Sequence, residues 1–463
     1  MNPYRNLISN TVLFGISTFG ARFLTFLLTP FYTRVLSSTE YGTTDLLIQT
    51  GNLIIPIASI GIANAVIRYG LEQTCNKKGV FTAGLLATAS GFLLLLLISP
   101  ALRQIEFLSG HLWLVLLYVL AANVHSVCNQ FARTLGYVRL FALDGILRTL
   151  LAIVFNILLL AVFHMGVTGY ILANVFADGI ATVFIFLCTQ EWHYLSLSAV
   201  NCQDATRMLR YSIPLVPTTL CSWMINVSDR YLIAILIGNA AAGIYAVSNK
   251  IPNILLAAAS TFSSAWQLSA LTDRPKAEKE RFFSDVYSVY SAIVFLLASG
   301  IILTAQISTR LLAAPDYFEA WQYVPVLTLA AAFACLGSFL SSIYMVEQRS
   351  GAAFATTVLG AACNVAGNFF LIQLYGTMGA AISTFLSYVL IFAVRALHTH
   401  SLLCIHWNIP KTLCSTFLLI IQCFLIEINA PLWPVWSSAC LLLLCAIYFK
   451  PLFNALRKGF SRL

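Results

Sequence analysis

The sequence predicts an all-α integral membrane protein of about fourteen transmembrane helices, and three observations carry that reading. Apolar residues make up 59% of the chain and charged residues only 9%, against roughly 25% charged in a soluble domain. Apolar runs of spanning length follow one another almost end to end. Lys and Arg gather on alternate connectors. A soluble fold of 463 residues cannot cover its surface with so few charges, so the chain must present apolar surface to lipid.

A bilayer core needs about 20 apolar residues per helix. On that basis the first six spans lie at about 7–35, 41–67, 79–100, 110–132, 139–163 and 167–188. The first run has only Arg5 ahead of it and continues past Arg22 to about Val35. That is too long for a signal-peptide core, so it counts as a membrane helix. A more polar connector follows at about 189–208, then six spans at about 209–237, 241–268, 284–308, 318–345, 350–374 and 377–398. Two more sit at about 411–428 and 432–449. Runs approaching 30 residues are roughly 45 Å long and imply tilt.

Orientation follows from the cations. With the N-terminus in the cytosol, about nineteen of the 26 Lys and Arg residues fall on the cytosolic side, Arg349 and Arg395 among them. The outer loops hold only Arg34, Arg103 and Arg310. This is the positive-inside pattern, and an even span count puts both termini inside. It accounts for the net charge of +9 without nucleic acid, for which no basic face or binding motif is present. The 12 Cys residues show no CxxC pair and no Cys/His ligand spacing, which argues against a disulfide framework or a metal site. No cofactor motif is present.

Six spans, a connector and six spans suggest duplication. Tyr32-Thr33-Arg34-Val35-Leu36 leads to Glu40-Tyr41-Gly42 at one helix–loop–helix junction, and Tyr231-Leu232-Ile233 leads to Gly243-Ile244-Tyr245 at the other. Gly166-Val167-Thr168-Gly169 matches Gly376-Thr377-Met378-Gly379. An even number of helices per half makes this a parallel repeat, with its pseudo-two-fold axis along the membrane normal. The expected organisation is a six-helix bundle at 1–188, a cytosolic connector at 189–208, a second bundle at 209–400, and two extra helices with a basic tail at 401–463.

The run Thr29-Pro30-Phe31-Tyr32-Thr33-Arg34-Val35-Leu36-Ser37 with Glu40-Tyr41-Gly42 resembles the opening of bacterial polysaccharide flippases of the multidrug/oligosaccharidyl-lipid/polysaccharide exporter superfamily. So do Ser228-Asp229-Arg230-Tyr231 followed by Gly243 to Ile251, and the segment from Asn364 through Ser383-Thr384. The resemblance covers the whole chain. It implies two pseudo-symmetric MATE-like bundles working by alternating access in the bacterial cytoplasmic membrane. The substrate it implies is a polyprenyl-pyrophosphate-linked oligosaccharide, moved from the inner to the outer leaflet for lipopolysaccharide or capsule synthesis. The implied partners are that lipid-linked oligosaccharide, the membrane lipids, a coupling H+ or Na+, and a polysaccharide polymerase with chain-length proteins.

Ionisable residues at membrane depth are costly and point to function. Arg22, Asp144, Arg148, Asp178, Asp229, Arg230 and Lys250 lie within spans. Asp144 and Arg148 are spaced i,i+4 and can pair on one helix face, or they can gate the substrate. Asp229 can pair with Lys250 or Arg22, and Asp178 with Arg230. The functional reading has Arg22, Arg230, Lys250 and Arg148 facing the lipid-linked anion, since a guanidinium bonds two phosphate oxygens at once. Asp178, Asp229 and Asp144 then carry ion coupling or gating. His125 and His164 read as packing or interface residues.

Three rivals remain. A drug or cation antiporter would want a more acidic cavity. A lipid-linked peptidoglycan precursor flippase would share both fold and basic groups. A membrane polymerase or acyltransferase would need a large polar outer loop or clustered catalytic residues, and neither is present.

Overall fold

The computed structural model describes residues 26–460 apart from 73–74, 271–274, 348 and 406–407. Arg22 and most of the first expected span lie outside the described residues. Among the described residues the chain is helical with no strand, and it divides into two compact units, Met1–Val227 and Ser228–Leu463.

The first unit runs α1 (Thr29–Val35), α2 (Ser38–Ala58), α3 (Ile62–Gly70), α4 (Lys77–Leu102), α5 (Glu106–Ser109), α6 (Leu112–Thr134), α7 (Val138–Asn156), α8 (Gly166–Cys188) and α9 (Cys202–Ser212). Helix α10 (Leu215–Leu236) crosses the division. The second unit continues with α11 (Asn239–Ser248), α12 (Pro252–Ala270), α13 (Lys276–Leu303), α14 (Ala305–Leu312), α15 (Val324–Val346), α16 (Ser350–Tyr375), α17 (Thr377–Leu402), α18 (Ile409–Glu427) and α19 (Trp433–Phe460).

Ten described helices are long and apolar enough to cross a bilayer, and α2 with α3 makes an eleventh across a 52° bend. The expected fourteen therefore meet three exceptions with separate causes. The first span lies mostly outside the described residues. The eighth is broken, because Pro252 lacks the N–H that would continue a helix from Ser248, and Asn249, Lys250 and Ile251 form a turn there. The seventh, α10, is long enough but carries Asn226, Asp229 and Arg230, which lower its hydropathy. The bend between α2 and α3 arises where Ile60 and Gly61 both take positive φ.

The repeat motifs have a structural cause. Ser37 caps α2: its hydroxyl accepts from the Glu40 N–H, while Glu40 accepts from the Ser37 N–H at 2.9 Å, a reciprocal capping box. The Tyr32 ring packs on Tyr170 with centroids 4.9 Å apart, so the first motif sits against the start of α8. At the matched turns both Gly166 and Gly376 have positive φ, which a side chain resists. Three residues on, a Cβ at Gly169 would stand 3.2 Å from the Leu159 carbonyl and one at Gly379 only 2.0 Å from that of Leu371.

Each unit has its own core. In the first, Leu47, Val115, Val119 and Ile171 pack together, with a second group around Phe81, Val127 and Phe131. In the second, Trp266, Phe283, Tyr290 and Phe339 stack between α12, α13 and α15. Leu418, Leu419, Leu444 and Tyr448 of the last two helices belong to that same core. Outward positions stay apolar, as on α4, where Leu93, Leu94, Leu97 and Ile98 are exposed. That is the surface a lipid-facing helix requires.

Candidate functional site

Helices α6, α7 and α8 pack against one another in the first unit and bring five polar side chains together. Asp144 and Asp178 are both 0% exposed. Counted along their helices, Asp144 stands about 9 Å and Asp178 about 18 Å from the helix start, from opposite ends of the bundle. His125 from α6 lies between them. Its Nε2 is 2.8 Å from Asp144 Oδ2, and its Nδ1 is 3.9 Å from Asp178 Oδ1. Asn129, one turn further along α6, donates to the same Asp144 oxygen. Arg148 donates from Nε to Asp178 Oδ1.

The pairing differs from the i,i+4 expectation. Asp144 and Arg148 share a helix, yet each takes a partner from another: Asp144 from α6, Arg148 from α8. Asp178 meets Arg148 and His125 within its own unit. His125 packs between α7 and α8 and also bonds Asp144. Its Nε2 makes the hydrogen bond to Asp144, while its Nδ1 faces Asp178 at 3.9 Å, beyond hydrogen-bond reach.

Charge balance sharpens the point. Two carboxylates, one guanidinium and a neutral imidazole carry a net −1, and an uncompensated charge buried at this depth is expensive. Asp144 Oδ1 and Asp178 Oδ2, both buried, have no hydrogen-bond partner among the described residues, so each carboxylate keeps one oxygen unpaired. A polar thread leads onward from the cluster. Tyr118 lies close enough to Asp178 and Arg148 to sense their charges, and its hydroxyl donates to Asn52 at 2.9 Å. The ring lies against Gly51, where a Cβ would meet it at 2.5 Å.

The second unit places its charges differently. Asp229 and Arg230 are both buried on α10. The Asp229 carboxylate accepts from the Arg230 backbone N–H at 2.9 Å and lies near Tyr245 and Tyr388. Beside them Asn364 is a hub: it accepts from Ser228 at 2.8 Å and Asn368 at 3.0 Å, and donates to Thr384 at 3.2 Å. Lys250 is half-buried in the turn between α11 and α12, and among the described residues it makes no ion pair. Arg22 lies outside the described residues.

Sequence reading missed one more acid. Glu191 follows α8, past Gln190 in the left-handed region, and is 0% exposed. Thr189 donates to its Oε1 at 3.0 Å, and Oε2 has no partner. Burial pushes its carboxyl up to about 7, with Asp144 adding to the shift, while the Cys128 thiol and the Thr189 hydroxyl oppose it. Among the described residues no group of three or more His, Cys, Asp and Glu side chains could hold a metal ion.

The family model described as "Polysaccharide biosynthesis protein" matches residues 31–322. The chain belongs to this family. No curated protein matches the chain at a significant level. Among solved structures, the polysaccharide biosynthesis chain is similar to "Lipid II flippase MurJ, inward closed conformation", with a TM-score of 0.76 at 13% identity over 96% of this chain and 99% of that one. It is also similar to the inward-facing conformation of a multidrug resistance MATE family transporter of the MOP superfamily, with a TM-score of 0.68 at 15% identity over 82% and 95% of the two chains. A third likeness is to a MOP superfamily transporter from Pyrococcus furiosus, with a TM-score of 0.56 at 13% identity over 84% and 95%. At these identities the likeness is one of fold. The family member therefore has the fold of MOP superfamily transporters, all-α and multi-pass.

Proposed function

We propose that this polysaccharide biosynthesis chain is a flippase. It moves a polyprenyl-pyrophosphate-linked oligosaccharide from the inner to the outer leaflet of the bacterial cytoplasmic membrane, by alternating access between two six-helix bundles. The observation that carries the reading is family membership joined to a fold shared over 96% of the chain with a flippase of a lipid-linked substrate. The MATE likeness spans less of the chain, 82%, which favours a lipid-linked substrate over a drug or cation. Both termini lie in the cytosol, and a polymerase with its chain-length proteins receives the product. Flipping involves no bond making, so the chain acts as a transporter and not as an enzyme.

The Asp144–His125–Asp178–Arg148 cluster supplies the coupling site. Its two buried carboxylates, with His125 between them and Arg148 on Asp178, are the groups a coupling cation would engage. Coupling follows when one conformation buries the cluster and the other admits water. Arg22, Arg230 and Lys250 attract the pyrophosphate. Everted vesicles loaded with the lipid-linked repeat unit test the reading by its appearance on the lumenal face. Translocation should rise with an imposed proton gradient, and Ala at Arg22, Arg230 or Lys250 should abolish it at unchanged protein level. Full transport by all three variants rejects the substrate assignment. Transport indifferent to the gradient rejects the coupling.

A further inference from the structure

Arg395 on α17 is a buried cation without an anion. It is 9% exposed, and its guanidinium bonds only neutral acceptors: Nε to Thr356 Oγ1 at 3.0 Å, one terminal nitrogen to the Gly337 carbonyl at 2.9 Å, the other to Thr357 Oγ1 at 3.0 Å. Among the described residues no carboxylate comes within 4.0 Å of it. The carboxylate closing α15, Glu347, is occupied by Lys279 at 2.8 Å. A guanidinium has five N–H donors, and these bonds use three. Buried charges in proteins are normally paired, because removing one ion from water without a partner is costly.

A second positive feature stands nearby. Helix α16 is 26 residues long, and its N-cap is Arg349, with no side chain capping the first turn. Thr356 and Thr357, which hold Arg395, lie only about 9 Å along α16 from that end. The free N–H groups of a long helix carry roughly half a positive charge there. Arg349 is exposed at the same place. Arg395 itself lies about 27 Å along α17 from the Gly376 turn, close to the full thickness of a hydrocarbon core. The feature therefore sits at headgroup level. By the distribution of cations it faces the inner leaflet.

We propose that this end of the second unit is a binding site for a phosphate-class oxyanion. The two remaining N–H donors of Arg395 bond it, and Arg349, exposed at the head of α16 about two turns away, adds positive charge on the same side. Thr356, Thr357 and the Gly337 carbonyl orient the fork, which is why the arginine is spent on neutral acceptors rather than on an acid. The site stands whether or not the Asp144–Asp178 cluster couples transport to protons. Its phosphate comes from an anionic phospholipid headgroup or from a soluble pyrophosphate group.

Native mass spectrometry of the purified full chain separates the two sources, with phosphatidylglycerol and inorganic pyrophosphate as probes. The wild-type protein should bind at least one of them about ten-fold more tightly than R395Q, with R395K between them because it keeps the charge and loses the fork. Retention of phosphatidylglycerol alone assigns the lipid source, and binding of pyrophosphate assigns the soluble one. Equal binding of both probes by wild type and R395K overturns the site and leaves Arg395 as a packing clamp. The R395K comparison serves if R395Q does not fold.

Discussion

His125 stands between two buried acids from different helices, and this is where the residue scale departs from the spacing of the sequence. Asp144, Arg148 and Asp178 are legible from sequence alone because charge at membrane depth is rare. Their pairing is not. Sequence offers only the i,i+4 neighbour, whereas packing of α6, α7 and α8 offers partners 15 to 53 residues away. Asp144→Asn, Asp178→Asn and His125→Phe should each cut gradient-driven flipping at least about ten-fold. The measurement is the initial rate in everted vesicles; an unchanged rate in His125→Phe removes the imidazole from the coupling site. Glu191 was illegible for a different reason: it lies just past a helix end, where an acid normally meets water. Its carboxyl is raised from 4.5 to about 7, so the folded state holds its proton more tightly than the unfolded chain does. Stability from this group is therefore full below about pH 4.5 and lost as pH rises through about 7. Glu191→Gln should flatten the melting temperature between pH 5 and 8 and raise it at pH 8. A variant as pH-sensitive as the parent would mean that Glu191 is ionised in the fold.

At the scale of elements, periodicity and length found most of the helices, because an apolar run near 20 residues has few alternatives in lipid. The breaks were harder to see. Pro252 is a visible breaker, yet the surrounding run stays apolar enough to read as one span. The α2–α3 bend depends on Ile60 adopting positive φ beside Gly61, and no residue preference announces that. The repeated glycines were legible as a pattern, and the structure supplies their cause. Gly379→Ala would drive a Cβ into the Leu371 carbonyl, which stands 2.0 Å from that position, and backbone cannot move aside cheaply. Overpacking of this kind costs about 1–3 kcal/mol. The melting temperature should fall by several degrees in Gly379→Ala, and much less in Gly351→Ala, where a Cβ meets nothing within 4 Å. Equal melting of the two would mean that the outer turn tolerates separation of α16 from α17.

For the whole molecule, the sequence reading treats the last two helices as an addition to a twelve-helix pump, and the structure makes them part of the second core. Tyr448 stacks on Phe295 with centroids 6.1 Å apart and its hydroxyl bonds Ser415 at 3.1 Å. Gln422 donates to the Ser437 carbonyl at 2.8 Å, tying α18 to α19. The magnitude of their contribution depends on the solvent. In water, exposing the apolar face of α13 would cost roughly 25 cal/mol per Å². In a bilayer, lipid tails replace the lost partners, and the loss reduces to packing and to interhelical hydrogen bonds of about 0.6 kcal/mol each. A chain ending before Ile409 should therefore insert and stay monodisperse, with a melting temperature lower by a few degrees. If the two helices stand outside the transport path, it should also flip substrate at a rate per molecule within about two-fold of the full chain. Thermal melting in detergent and the vesicle assay read the two quantities separately. A truncated chain that melts normally but cannot flip would move α18 and α19 from support into the path itself, and one that aggregates would show that the second core needs them to form.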